Sequence, residues 1–134
     1  MGEMSEAMRQ VFAGRLPDLL GMEFVAVAPE RTVVRLPYRR ALSMPYDAMH
    51  GGAVAALADT AAGAAMAVGL SPGETFTTVE MKLNLISAVR EGVATAVAVP
   101  LHRGRRTAVF EVRVHDERDR LVAIFTCTQL VNGG

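Results

Sequence analysis

From Gly51 to Leu70 the chain runs for twenty residues in which only Asp59, Thr60 and glycine break an apolar, alanine-rich string. That is long enough for a membrane span. Alanine and glycine insert weakly, however, and an aspartate near the middle costs roughly 2.5–3.5 kcal/mol on insertion. The remainder of the chain alternates apolar and polar residues as amphipathic strands do, and strands of that kind need a helix to cover their apolar face. The stretch therefore reads as a buried core helix from about His50 to Val68. Gly69 sits at its C′ position, and Pro72 prevents continuation.

The flanking segments follow the same logic. Met4, Met8, Val11 and Phe12 lie at helical spacing, which predicts an amphipathic helix over 4–20, ended or distorted by Pro17. Phe24, Val25, Val27, Val33 and Val34 predict a strand over 21–36, with Pro29-Glu30 as a bulge or bend. A loop over 37–48 precedes the helix. Beyond it, strands are expected over 75–88, 92–99, 107–115 and 121–131. Arg103-Gly104 and Asp116–Asp119 supply hairpin turns. In the first of these strands, alternation places Val79, Met81, Leu83 and Leu85 opposite Glu80, Lys82 and Asn84. Short connections imply antiparallel pairing. The expected class is α+β, a curved antiparallel sheet wrapped around one long central helix. The 134 residues suit one domain, with 1–20 as a helical lead-in and 21–132 as the core.

Composition excludes several functions. Lys plus Arg and Asp plus Glu each number 14, so the net charge is zero, which disfavours nucleic acid and anionic membranes as partners. The single cysteine, Cys127, permits no internal disulfide or cysteine metal cluster and reads as a buried structural thiol. Three scattered histidines offer no metal site. The polar, acidic start does not look like a secretory leader, so a cytoplasmic location is expected.

Chemistry concentrates on the long helix. Gly51 and Gly52 at its start either leave the first N–H groups open to a ligand at the positive end of the helix dipole, or let a neighbour pack tightly. Asp59 is the one charged residue between Asp47 and Glu74. Ala55, Ala56, Ala62 and Gly63 surround it one turn away, leaving room for a ligand or another helix. A carboxylate buried there must be paired, protonated or functional. Gly51 and Asp59 are eight residues apart, about 12 Å along a helix axis. One substrate carbonyl cannot meet both on the same helix, so joint action requires two antiparallel helices from two subunits.

Asp47-Ala48-Met49-His50-Gly51-Gly52 leading into Leu57-Ala58-Asp59 resembles the hotdog-fold thioesterases, and within them the PaaI-like acyl-coenzyme A thioesterases. Thr78–Lys82, Arg90–Gly92, Gly104–Thr107 and Leu121–Ala123 resemble that family's strands, so the likeness covers roughly residues 20–131. The resemblance implies a hotdog fold, hydrolysis of an acyl-coenzyme A without a separate cofactor, and a homodimer or homotetramer. It implies that the Gly51 N–H polarises the thioester carbonyl, while Asp59 of the facing subunit activates water or attacks directly. His50 would orient the helix-start loop, with Gly52 beside the substrate. Thr78 matches by motif a hydroxyl that helps position the water. Strand parity gives Thr77 a rival claim, because it shares a face with Val79 and Met81.

Two positions depart from the family pattern. Met44 stands where many relatives carry an asparagine that holds the carbonyl or the water, and Asp47 stands where they carry glycine. Asp47 is expected to cap the helix. Arg103, Arg105 and Arg106 form a basic turn that is either solvated or a contact for coenzyme A phosphates. The alternatives are a non-catalytic acyl-coenzyme A binding module and a hotdog hydratase or dehydratase.

Overall fold

A computed structural model describes residues 2–133 of the chain. The elements in order are α1 (Glu3–Val11), α2 (Leu16–Leu20), β1 (Glu23–Ala26) and β2 (Thr32–Pro37), then a 3-10 turn at Arg40–Leu42. They continue with α3 (Gly51–Ala67), β3 (Glu74–Leu85), β4 (Val93–Arg103), β5 (Thr107–His115) and β6 (Leu121–Gly133). The α+β class and the antiparallel sheet packed on one long helix are as expected. Among the described residues no helix is long and apolar enough to cross a membrane.

The lead-in differs from the expected single helix. Pro17 lies in the first turn of α2, where a missing N–H breaks no intrahelical bond and the fixed φ favours helix. It therefore opens a second helix instead of ending the first. Phe12, just past α1, stacks on Phe24 of β1 with ring centroids 5.8 Å apart, which ties the lead-in to the sheet.

Pro29-Glu30 likewise marks neither a bulge nor a bend in one long strand. The chain turns there, with the Arg31 N–H donating to the Ala28 carbonyl at 3.3 Å. The Thr32 hydroxyl donates to the same carbonyl at 2.9 Å. The expected long strand is thus the antiparallel pair β1 and β2, with Glu23 opposite Arg35.

The sheet order is β1-β2-β4-β5-β6-β3. The turns after β4 and β5 make hairpins, as expected; Asp116 closes the second by accepting from the Arg118 and Arg120 N–H groups, both at 2.9 Å. The short link after β3 does not, because β3 pairs only with β6, and residues 86–92 carry the chain across to β4. Backbone bonds outside the ladder hold this crossing, including the Met49 N–H donating to the Val89 carbonyl at 2.8 Å.

The core lies between α3 and the concave face of the sheet. Leu57, Ala58, Ala61, Ala62 and Ala65 are wholly buried. Small residues Ala94, Ala96 and Ala98 on β4 let the helix come close, while Phe110 and Phe125 fill the space beside it. Burial of each phenylalanine contributes about 1.5–3 kcal/mol. Helix α3 runs antiparallel to β3. Gly51 lies at Leu85, Asp59 at Thr78 and Gly63 at Phe76, so the seam between them displays both candidate groups along one edge of the sheet.

Candidate active site

His50 caps α3. Its Nδ1 accepts from the Gly52 N–H at 2.7 Å, so the neutral ring carries its proton on Nε2. The Ala53 and Val54 N–H groups turn to the His50 carbonyl. The Gly51 N–H has no acceptor among the described residues. Of the two glycines, then, one donor is consumed by the cap and one stays open at the positive end of the helix dipole. A Cβ at Gly51 would sit 2.8 Å from Leu85 Cδ1, the far end of an exposed side chain that would have to turn aside.

Asp47 does not cap the helix, contrary to expectation. It occupies the left-handed region at φ 54°, and its N–H donates to the Met44 carbonyl at 3.0 Å in a tight turn. Three residues separate it from Gly51, and His50, at the cap position with extended ψ, is nearer to the Gly52 N–H. In front of Gly51 opens a cleft of about 450 Å³, bordered by Met44, Tyr46, Met49, Leu85 and Ile86. Met44 offers it a thioether and no hydrogen-bond donor.

Asp59 lies outside that cleft, one face round and two turns along the same helix. It is half-buried, and its Oδ1 accepts from the Thr78 hydroxyl at 3.2 Å. Burial raises its carboxyl above the ordinary carboxylate range, and the Thr78 hydrogen bond partly offsets this. The Thr78 oxygen in turn lies 3.5 Å from Gln129 Nε2 on β6. Gln129 is completely buried, and its Oε1 has no partner among the described residues. Cys127, the next inward residue of β6, is buried, and its thiol is pushed up to about 12 by burial, with the Asp59 charge a smaller cause.

A β-bulge decides between Thr77 and Thr78. The β3–β6 register slips between Thr78 and Glu80, so Val79 is an extra residue. Before it, Thr78 faces Gln129; after it, Met81 faces Cys127 and Leu83 faces Phe125. Gln129, Cys127 and Phe125 all point inward, so Thr78 shares a face with Met81, Leu83 and Leu85. Simple alternation had grouped Thr77 and Val79 with Met81. Thr77 instead faces outward and accepts from Asn132 Nδ2 at 2.8 Å.

The basic turn divides. Arg103 folds back onto the other end of α3: Nη2 donates to the Ala65 carbonyl at 3.3 Å and the Pro29 carbonyl at 3.1 Å, and Cζ lies 5.4 Å from the Phe110 ring centroid. Arg105 and Arg106 are exposed, and none of the three borders the cleft beside Gly51.

Residues 46–123, which hold both the open amide and the buried carboxylate, match the family profile described as Thioesterase superfamily. The chain belongs to the thioesterase superfamily. Among its relatives are the 1,4-dihydroxy-2-naphthoyl-CoA hydrolase of Listeria monocytogenes, 32% identical over 84% of this chain and 92% of that protein, and the proofreading thioesterase EntH of Cronobacter turicensis, 30% identical over 86% and 84%. The crystal structure of a Haemophilus influenzae thioesterase superposes with a TM-score of 0.93 at 26% identity, covering 99% of this chain and 93% of that one. The architecture is accordingly the hotdog fold, and the expectation of a thioester hydrolase holds at the level of the superfamily.

Against that superfamily frame, sequence reasoning missed Tyr46, Leu85 and Ile86, which border the cleft, and Gln129, which backs Thr78. The cleft residues come from three separate segments, and no local pattern joins them. Gln129 was discoverable: it continues the inward parity of Phe125 and Cys127, which puts an amide in an apolar core.

Proposed function

We propose that this superfamily member hydrolyses an acyl-coenzyme A to the free acid and coenzyme A, at sites completed between two subunits. The observation that carries the reading is that one continuous helix holds an open N-terminal amide and, eight residues on, a carboxylate about 12 Å away along the axis. Neither can complete the other in one chain. In an antiparallel pair of helices the amide of one lies beside the carboxylate of its partner, giving two sites per dimer. The 12-residue edge strand β3 supports this arrangement. It pairs on one side only and exposes Val79, Met81 and Leu85, and Ile86 follows it, an apolar edge of the kind a second copy covers.

The thioester carbonyl oxygen accepts from the Gly51 N–H. The carboxylate of Asp59 takes a proton from water as the water oxygen bonds to the carbonyl carbon, and the carbonyl π pair moves to the oxygen held by the amide. Collapse of this intermediate breaks the carbon–sulfur bond, and the departing thiolate receives the proton. Direct attack by Asp59, with water opening the resulting anhydride, uses the same groups; oxygen-18 incorporation into Asp59 in a single turnover separates the two. The relative named as a 1,4-dihydroxy-2-naphthoyl-CoA hydrolase favours coenzyme A as the leaving group. The chain uses no further cofactor in this scheme and is assigned to the cytoplasm, where such thioesters occur.

The test is release of free coenzyme A from a panel of acyl thioesters by wild type and Asp59→Ala. General-base loss lowers kcat by about 10²–10⁴-fold; equal rates would sink the reading, and binding without release would favour a non-catalytic module. Mixing Asp59→Asn with Gly51→Pro subunits adds a test of the shared site. Half the dimers are then mixed and carry one intact site, restoring about a quarter of wild-type activity. No recovery in a mixture proven to exchange subunits would place both groups within one chain.

A further inference from the structure

Gln129 is a fully buried polar side chain with an unmet acceptor, on the central face of β6 behind Thr78. Hydrogen-bond polarity gives its contact a direction. The ionised Asp59 can only accept, so the single Thr78 proton must go to Oδ1, 3.2 Å away. The Thr78 oxygen is left with lone pairs alone, and Gln129 offers it an amide N–H at 3.5 Å. Turned over, the amide would present Oε1 to that oxygen. The Thr78 hydroxyl would then have two acceptors for one proton, so the observed orientation is the one that leaves the proton with Asp59. An apolar residue of the same size would fill this space without burying an orphaned oxygen, so packing alone does not account for a glutamine here.

We infer that Gln129 is a positioning residue for Asp59: its amide N–H holds the Thr78 hydroxyl so that the hydroxyl proton fixes Oδ1, leaving Oδ2 turned to the reacting water. The inference rests on the hydrolytic reading above for its effect on turnover, but not for its effect on Asp59. No charged side chain among the described residues is paired with Asp59. On β6 the group facing it is the protonated Cys127 thiol, on β3 it is the Thr78 hydroxyl, and Glu80 beyond the bulge points outward and is exposed. The Thr78 bond is what lowers the Asp59 carboxyl against the effect of burial. Weakening that bond therefore moves the carboxyl to still higher values.

The variant is Gln129→Met, close in size and unable to donate, with Gln129→Leu as a second apolar shape. In both, carboxyl carbon-13 NMR should show Asp59 titrating at higher pH than in wild type. The acidic limb of kcat/KM should move up with it, and kcat at neutral pH should fall about tenfold, one ordinary hydrogen bond's worth of the barrier. KM should change little. Melting temperatures should be equal to wild type or higher, since an unmet buried acceptor has been removed. An unchanged Asp59 titration and pH profile in the folded variants would overturn the inference, as would a loss of activity that follows a fall in melting temperature alone. The two readings fail separately. A protein inactive on every thioester whose Asp59 titration still shifts in Gln129→Met refutes the hydrolytic reading and keeps the positioning role. An active enzyme with an unmoved titration does the reverse.

Discussion

The two ends of α3 obey one physical rule and meet it differently. Every α-helix leaves N–H groups unpaired at its start and carbonyls unpaired at its end, with opposite partial charges. At the far end the chain supplies the answer itself. The Arg103 guanidinium donates to the Ala65 carbonyl, stacks over Phe110, and fits because Gly69 has no side chain: a Cβ there would lie 2.5 Å from Nη1. At the near end His50 satisfies the Gly52 N–H and leaves that of Gly51 open beside a cleft. Both ends carry a glycine that admits something closely. Leu85 packs against Gly51 as Arg103 packs against Gly69, but Arg103 donates to a terminal carbonyl, whereas the Gly51 N–H has no acceptor among the described residues. A glycine at a helix terminus is thus silent about function until the partner of the neighbouring backbone group is known.

The sharpest way to break this contrast is Gly51→Pro. Gly51 is the first helical residue, and His50 before it has φ −59° and ψ 135°, a conformation that tolerates a following proline. The substitution removes one N–H while keeping the helix, with the exposed Leu85 side chain turning aside from the ring. Thioester hydrolysis should fall about 10²–10³-fold in kcat, as for loss of an oxyanion donor, with circular dichroism unchanged. Full activity in a folded Gly51→Pro protein would remove the open end from the chemistry.

The opposite end should respond in stability and not in turnover. Arg103→Met is expected to lower unfolding stability by about 1–3 kcal/mol, from lost carbonyl contacts and the cation–π interaction. KM for an acyl-coenzyme A should stay the same. A raised KM with unaltered melting would instead return Arg103 to the coenzyme A phosphates.

The smallest effect concerns Asp59, midway between the ends. Its folded-state carboxyl lies above the ordinary value of 3.8, chiefly because of burial. The folded form therefore holds its proton more tightly than the unfolded form, and stability is highest below that ordinary value. It is lost as pH rises through the raised folded value. Asp59→Asn should consequently be more stable than wild type at neutral pH, by less than about 1 kcal/mol because water still screens a half-exposed carboxylate. The difference should vanish near pH 3. Denaturant melts of both proteins at the two pH values measure it, and a variant less stable at pH 7 would show that the carboxylate is structurally favourable.

Much of this was legible in the residue order. A long alanine-rich run with one aspartate, set among alternating strands, has few places to go, and α3 begins at its glycine pair and ends before Gly69, although its cap is His50 and not Asp47. The strand over 107–115 matched to the residue because its alternation is uninterrupted. The errors share a cause. Pro17 and Pro29 announced a break, but a missing N–H is compatible with a helix start or a turn as well as with an ending or a bulge. Only the neighbours choose. The rival claim of Thr77 rested on counting by twos, and one extra residue at Val79 reverses that count for everything beyond it.

Sequence by itself determined the covered helix and the antiparallel strands, and singled out Gly51 and Asp59 on that helix. Those follow from local rules: period, propensity, and the expense of a buried charge. Tertiary structure alone decided that β3 lies at the edge beside β6, that Thr78 turns inward to Asp59 with Gln129 behind it, and that Arg103 closes one end of α3 while Gly51 stays open. Each of these depends on which distant segment arrives alongside, and hydrogen-bond partners separated by dozens of residues leave no mark in local periodicity.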